Sequence, residues 1–89
     1  MKIDNNEAQR RFETMTAAGL AKLDYRLEGN TLYLDYVYVP SNARGHGVAS
    51  DITLAALEWA RERRLKVIPV CGYVSAFLRR HTEFADLRA

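Results

Sequence analysis

The chain has a single cysteine, Cys71, so it cannot close a disulfide within itself, and this fits a reducing compartment. Cys71 and two distant histidines, His46 and His81, leave no metal-ligand spacing to read. No apolar run approaches the roughly 18 to 20 residues of a membrane span, which excludes a spanning helix. The opening residues Met1 to Glu7 hold no apolar signal region, so secretion through a signal peptide is not expected. Charge of one sign is scarce: 13 Lys and Arg against 11 Asp and Glu give a net +2. That suits an anionic small ligand and falls far short of the basic stripe of a nucleic-acid binder. Repeats, low-complexity tracts and long linkers are also absent, and 89 residues correspond to one domain with one modest core.

What is present reads as strands, then a helix, then a strand. Gln9 to Thr14 is the first strand candidate, broken by Ala17-Ala18-Gly19. Leu20 to Leu27 follows, with Ala21, Leu23, Tyr25 and Leu27 on one face and Leu20 out of phase. Glu28-Gly29-Asn30 makes a hairpin turn into Thr31–Val39, a run apolar on both faces, as in a central strand covered on both sides. Pro40 ends its ladder, and Ser41–Gly45 form a polar loop. From about Gly47 to Arg64, Val48, Ile52, Ala55, Ala56, Trp59 and Ala60 recur at helical spacing, with Trp59 expected to anchor the helix to the sheet. Leu65–Val70 is a further strand, parallel to Thr31–Val39 by crossover logic. Its Pro69 cannot donate to a ladder, so it should lie at an edge or splay. Tyr73–His81 makes a second, short helix, and Phe84 and Leu87 partly order the tail. The expected fold is α/β: a mixed sheet of about four strands, three antiparallel and then a strand–helix–strand crossover, with one long and one short helix.

The stretch Arg44-Gly45-His46-Gly47-Val48-Ala49 carries the most information. It places two glycines and an arginine at a helix N-terminus, where backbone N–H groups lack intrahelical partners and the dipole is positive. Such an end takes anions, and glycine lets a phosphate approach the bare backbone. Arg44 can add charge-assisted hydrogen bonds. His46 points either to solvent or to a phosphate.

In this setting Arg44-x-x-Gly47-x-Ala49, directly after Val39-Pro40 and directly before the long helix, resembles the signature of the GCN5-related N-acetyltransferases. Pro69-x-Cys71-x-Tyr73-Val74 and Arg80-His81-x-Glu83-Phe84 extend the resemblance over nearly the whole chain, toward the small single-domain, YjdJ-like branch. The resemblance implies that residues 1–89 form one acetyl-CoA-binding domain. The cofactor would lie between the third and fourth strands, its pantetheine arm beside Val37 and Val39 and its diphosphate on Gly45, His46, Gly47, Val48 and Ala49. Tyr73 and Arg80 are further cofactor contacts, Arg80 toward the 3′-phosphate of CoA. The implied activity is acetyl transfer from acetyl-CoA to an unidentified amine.

The catalytic side is less explicit. Tyr38 stands where small relatives often carry glutamate, and Arg79-Arg80 where larger relatives place an acid tyrosine. Cys71 is either the nucleophile of an acetyl-cysteine relay, favoured by Arg80 or His81, or a small side chain lining the channel. Tyr73 either gives its hydroxyl proton to the departing sulfur or packs on Phe77. A CoA-binding module without catalysis is the alternative reading. A cytoplasmic monomer or weak homodimer, with no membrane or nucleic-acid partner, is expected.

Overall fold

The computed structural model describes residues 1–89. Five strands form one sheet in chain order: β1 (Asp4–Asn6), β2 (Arg11–Thr16), β3 (Gly19–Glu28), β4 (Thr31–Tyr38) and β5 (Lys66–Pro69). The pairs from β1 to β4 are antiparallel, and β5 joins β4 in parallel after the crossover helix α1 (Val48–Glu62). Helix α2 (Gly72–Arg80) follows, and the chain ends in a 3₁₀ segment at Thr82–Leu87. The α/β class and the mixed sheet are those expected, with one strand more.

The added strand is β1. Asp4-Asn5-Asn6 shows no apolar alternation, and it becomes a strand because β2 offers a ladder. The Tyr25 hydroxyl donates to Asn5 Oδ1 at 2.7 Å, and Thr14 Oγ1 donates to the Lys2 carbonyl at 2.6 Å. Gln9 lies in the turn that follows, its N–H given to Asn6 Oδ1, so β2 starts later than expected, at Arg11.

The β3–β4 hairpin turns through Gly29 and Asn30, with Gly29 at φ +59°. Ala21, Leu23 and Tyr25 are buried on one face of β3, as their alternation requires. β4 departs from expectation in an informative way. Leu34 pairs with Tyr25 and Tyr36 with Asp24, which leaves Asp35 without a partner. This bulge slips the side-chain phase by one residue. Leu32 and Leu34 before it, and Val37 and Val39 after it, therefore share the core face. What reads as a strand apolar on both sides is a strand covered on one side, with Tyr36 and Tyr38 turned out on the other.

The helices and the tail cover that core face. Ile52, Ala56, Leu57 and Ala60 of α1 are fully buried, and Trp59 meets Phe12 edge-on at 5.7 Å and Tyr25 at 5.5 Å. Val74, Phe77 and Leu78 bury α2, and Phe84 and Leu87 bury the tail. No helix is long and apolar enough to cross a membrane. The outer sheet face carries ion pairs between Arg11 and Glu13, Lys22 and Asp24, and Arg26 and Asp35. Each charge there has a neighbour of opposite sign, so this face is stable against water without another layer.

The tail is tied down by Arg61, whose guanidinium donates to both Asp86 carboxylate oxygens at 3.0 and 3.1 Å and to the Glu83 carbonyl at 2.8 Å. The hydrogen bond from Arg61 holds the Asp86 carboxyl below its ordinary value. A carboxyl lowered on folding contributes stability above its unfolded pKa and loses it as pH falls through the folded one. Acidification through the carboxylate range should thus loosen the tail first, seen as early shifts of the Phe84 and Leu87 NMR signals. Asp86→Asn should loosen the tail at neutral pH and remove this early acid transition.

Candidate functional site

The site begins where the β4–β5 ladder stops. Pairing runs from Thr31–Lys66 to Leu34–Pro69 and no further, while β4 continues to Tyr38. Val70 turns its N–H to the Ile68 carbonyl at 3.1 Å, and Cys71 makes the last link, its N–H donating to the Leu34 carbonyl at 3.0 Å. Beyond that link the chain leaves the sheet for α2, and residues 35–38 have no partner on the β5 side.

Pro40 then turns the chain into a 3₁₀ turn, Ser41–Ala43, closed by the Ala43 and Arg44 N–H groups. Gly45 and Gly47 follow at φ +83° and +80°. A Cβ built on either meets no protein atom within 4 Å, so within the chain the demand for glycine is one of backbone conformation rather than of space. Gly47 is the N-cap of α1 and no side chain caps the helix. From Gly45 to Ser50 no backbone N–H donates to any acceptor in the chain; the bonds resume with Asp51 N–H to the Gly47 carbonyl. A run of free donors at the positive end of a 15-residue helix is an anion cradle. Arg44 both shapes it and charges it: its Nε donates to the Val39 carbonyl at 2.9 Å, pinning the loop to the end of β4 and leaving both Nη groups free of that bond.

Cradle and fork meet in one cavity of about 380 Å³. Of the residues singled out from the sequence, Val37, Val39, Arg44, Gly45, Gly47, Val48, Ala49 and Tyr73 line it together. Ala43, Ser50, Tyr36 and Tyr38 line it as well, and of these the sequence singles out Tyr38 alone, for the catalytic side. The two tyrosines, 52% and 39% exposed, owe their position to the bulge, which no alternation rule announces. His46 is exposed and faces a second hollow across the loop.

Cys71 and Arg80 lie outside the cavity lining. Cys71 is the half-buried N-cap of α2, and Arg80 is the last residue of that helix. Nine residues at about 1.5 Å each separate them by roughly 13 Å, so Arg80 is no cation for the thiol. His81 is not one either, since its ring stacks on Phe77 at 3.9 Å with Nδ1 3.7 Å from a Glu83 carboxylate oxygen. Cys71 itself stands at the N-terminus of α2, the positive end of that helix's dipole. Tyr73 does two things at once: its ring lies 6.3 Å from that of Phe77, and it lines the cavity.

A mixed sheet that forks beside a strand–loop–helix anion cradle defines an α/β protein built to hold an extended ligand with an anionic segment. Residues 11–87 match the family described as GCN5-related N-acetyl-transferase, and the chain belongs to that family. Its structure is similar to the NMR solution structure of a GCN5-like protein from Staphylococcus aureus, with a TM-score of 0.78 and 25% identity over 99% of this chain and 87% of that one. The family's chemistry is acyl transfer, with acetyl-CoA its general donor.

The left-handed backbone at Gly47 makes a stability prediction. Gly47→Ala, with space for its methyl but a disfavoured φ, should destabilise the fold by about 1 kcal/mol in urea unfolding. Ala49→Gly, in the first turn of α1, should lose no more than about that amount.

Proposed function

We propose that the chain is an acetyl-CoA-dependent N-acetyltransferase acting on an amine. The observation that carries this reading is the continuity of one cavity from the unpaired stretch of β4 to the free N–H groups of Gly45–Ser50. The residues fit the cofactor in kind. An unpaired strand segment offers hydrogen bonds to an amide-bearing arm, and Val37, Val39, Ala43 and Val48 give it an apolar wall. The cradle and Arg44 suit a diphosphate.

When bound, acetyl-CoA would supply an activated thioester carbonyl. The chain's own part is to hold the arm straight, to exclude water along the apolar wall and to place proton donors and acceptors near the fork. Tyr73 is the proposed donor to the departing sulfur, on the strength of its place in the cavity wall. Tyr36 and Tyr38 would flank the incoming amine, their rings exposed at the mouth.

A more specific reading gives Cys71 a part in the transfer. Its support is the bond from its N–H to the Leu34 carbonyl, which puts it at the apex of the fork. In that route Cys71 would take the acetyl group on its sulfur, its thiol proton passing to the departing CoA sulfur. The amine nitrogen then takes the acetyl group, and the cysteine thiol is restored.

Two measurements test these readings. In calorimetric CoA titration, Gly47→Asp should weaken binding about tenfold or more, whereas Gly47→Asn, equal in size and tolerant of the left-handed backbone, should stay closer to wild type. Equal affinities in Gly47→Asp and wild type would refute the cradle. Intact-mass analysis after incubation with acetyl-CoA should show one added acetyl group, absent in Cys71→Ala, if the relay operates. Amine acetylation that survives in Cys71→Ala would assign the cysteine to the channel wall. CoA bound with no adduct and no transfer over a broad amine panel would leave a binding module.

A further inference from the structure

The turn between β1 and β2 stands over a hollow of about 270 Å³ walled by Glu7, Arg10, Tyr25, Leu27 and Trp59. At about 1.5 Å per residue, Trp59 lies roughly 16 Å along α1 from Val48, and this hollow shares no wall residue with the cavity at the cradle. The turn is closed on itself and tied to β3: the Arg10 N–H donates to the Glu7 carbonyl at 3.3 Å, and the Arg10 carbonyl accepts from the Tyr25 N–H at 2.9 Å. Glu7 and Arg10 carry opposite charges and line the same hollow, yet neither enters any ion pair of the structure. The outer sheet face does the reverse, its charges closing on one another as Arg11 with Glu13, Lys22 with Asp24 and Arg26 with Asp35. A second unpaired guanidinium, that of Arg63, lies over the Trp59 ring at 5.3 Å. Burial pushes the Tyr25 hydroxyl above its ordinary value, the Glu7 charge adds to this, and Arg10 and Arg63 oppose it, so all three charges act on one phenol.

We propose that this hollow binds a free α-amino acid with an apolar side chain. The inference stands apart from acetyl transfer and would survive its failure. The ligand's carboxylate would meet Arg10, with Arg63 beside it, in charge-assisted hydrogen bonds. Its ammonium would meet the Glu7 carboxylate near the aromatic faces of Tyr25 and Trp59, which attract a cation. Its side chain would lie on Leu27 and Trp59. A ligand bearing one charge alone would take water from both Glu7 and Arg10 and compensate only one of them. A peptide brings its ammonium and carboxylate at opposite ends of a chain, whereas an amino acid brings both around one carbon. That is the ligand class that satisfies both walls of a hollow this small.

Trp59 is the only tryptophan of the chain, so its fluorescence reads the hollow directly. Leucine, which does not absorb with tryptophan, should change that emission saturably and give a matching calorimetric isotherm, with Kd at about the millimolar level or tighter. N-acetyl-leucine lacks the ammonium and leucinamide lacks the carboxylate, and each should bind at least about fivefold more weakly. In Glu7→Gln, leucine should weaken by at least about fivefold while N-acetyl-leucine stays within about twofold of wild type. Arg10→Asn keeps a residue tolerant of the left-handed backbone, φ +57°, and removes the charge, so leucine should bind it no more tightly than leucinamide does. A variant that merely loosened the turn would weaken every ligand alike, and that pattern would overturn the proposal. Equal affinities of wild type for leucine, N-acetyl-leucine and leucinamide would do the same, as would leucine that changes neither the emission nor the heat.

Discussion

The ladder between β4 and β5 is short, from Thr31–Lys66 to Leu34–Pro69, and the rest of the molecule is arranged around its ending. Two local causes act on opposite strands. On β5, Val70 turns its N–H back to the Ile68 carbonyl at 3.1 Å and the chain enters α2 at Gly72, and the bulge at Asp35 changes the phase of β4 at the same height. One cause alone would leave a frayed edge. Together they end the pairing and leave a space beside β4 that is floored by Val37 and Val39 and bounded by the N-terminus of α1 and by Tyr73 of α2. Fold and site thus share one origin, because the irregularity that ends the sheet is also what opens the cavity.

The rest of the fold holds this fork open. α1 packs across β2, β3, β4 and β5, and its buried row Ile52, Ala56, Leu57 and Ala60 fixes its direction so that its first turn meets the cavity. The aromatic trio Phe12, Tyr25 and Trp59 secures the far end of the helix, which keeps its near end from pivoting. Arg61 links the helix to the tail, and the Ala89 N–H reaches the Val67 carbonyl at 2.9 Å, so the outer side of β5 is also occupied. With only one face of the sheet covered by helices, the other face relies on internally paired charges.

Much of this was legible in the residues. The alternation of Ala21, Leu23 and Tyr25, the Gly29-Asn30 turn and the helical spacing from Val48 to Ala60 follow local rules and appear as expected. Pro69 marked β5 as a strand at the sheet edge, where it lies. The Arg44–Ala49 stretch gave the helix-end loop, because glycine requirements and chain direction are encoded within a few residues. What was hidden depends on partners distant in sequence. β1 is polar and short, and it exists because β2 and Tyr25 offer it bonds. The bulge at Asp35 is invisible to a period-two reading, and the place of Tyr36 and Tyr38 in the cavity wall is hidden with it. Arg80 and His81 looked close to Cys71 in sequence, but a helix between them turns a ten-residue spacing into two ends of a rod. Arg44 was read as a ligand for phosphate, and its bond to Val39 shows that it also fixes the loop on which a phosphate would sit.

The unpaired stretch of β4 has a consequence for handling the protein. Residues 35–38 form a strand edge inside the fold, unpaired on the side where β5 has ended. Groups suited to a ligand's amides are equally suited to a peptide's. Without a ligand the fork is therefore a place where another polypeptide could add as a strand, and its shortness and the exposed Tyr36 and Tyr38 rings beside it limit that pairing without abolishing it. Colloidal behaviour and cofactor occupancy become two readings of the same open edge, and a saturating ligand in the purification buffer acts as a cap on a sheet.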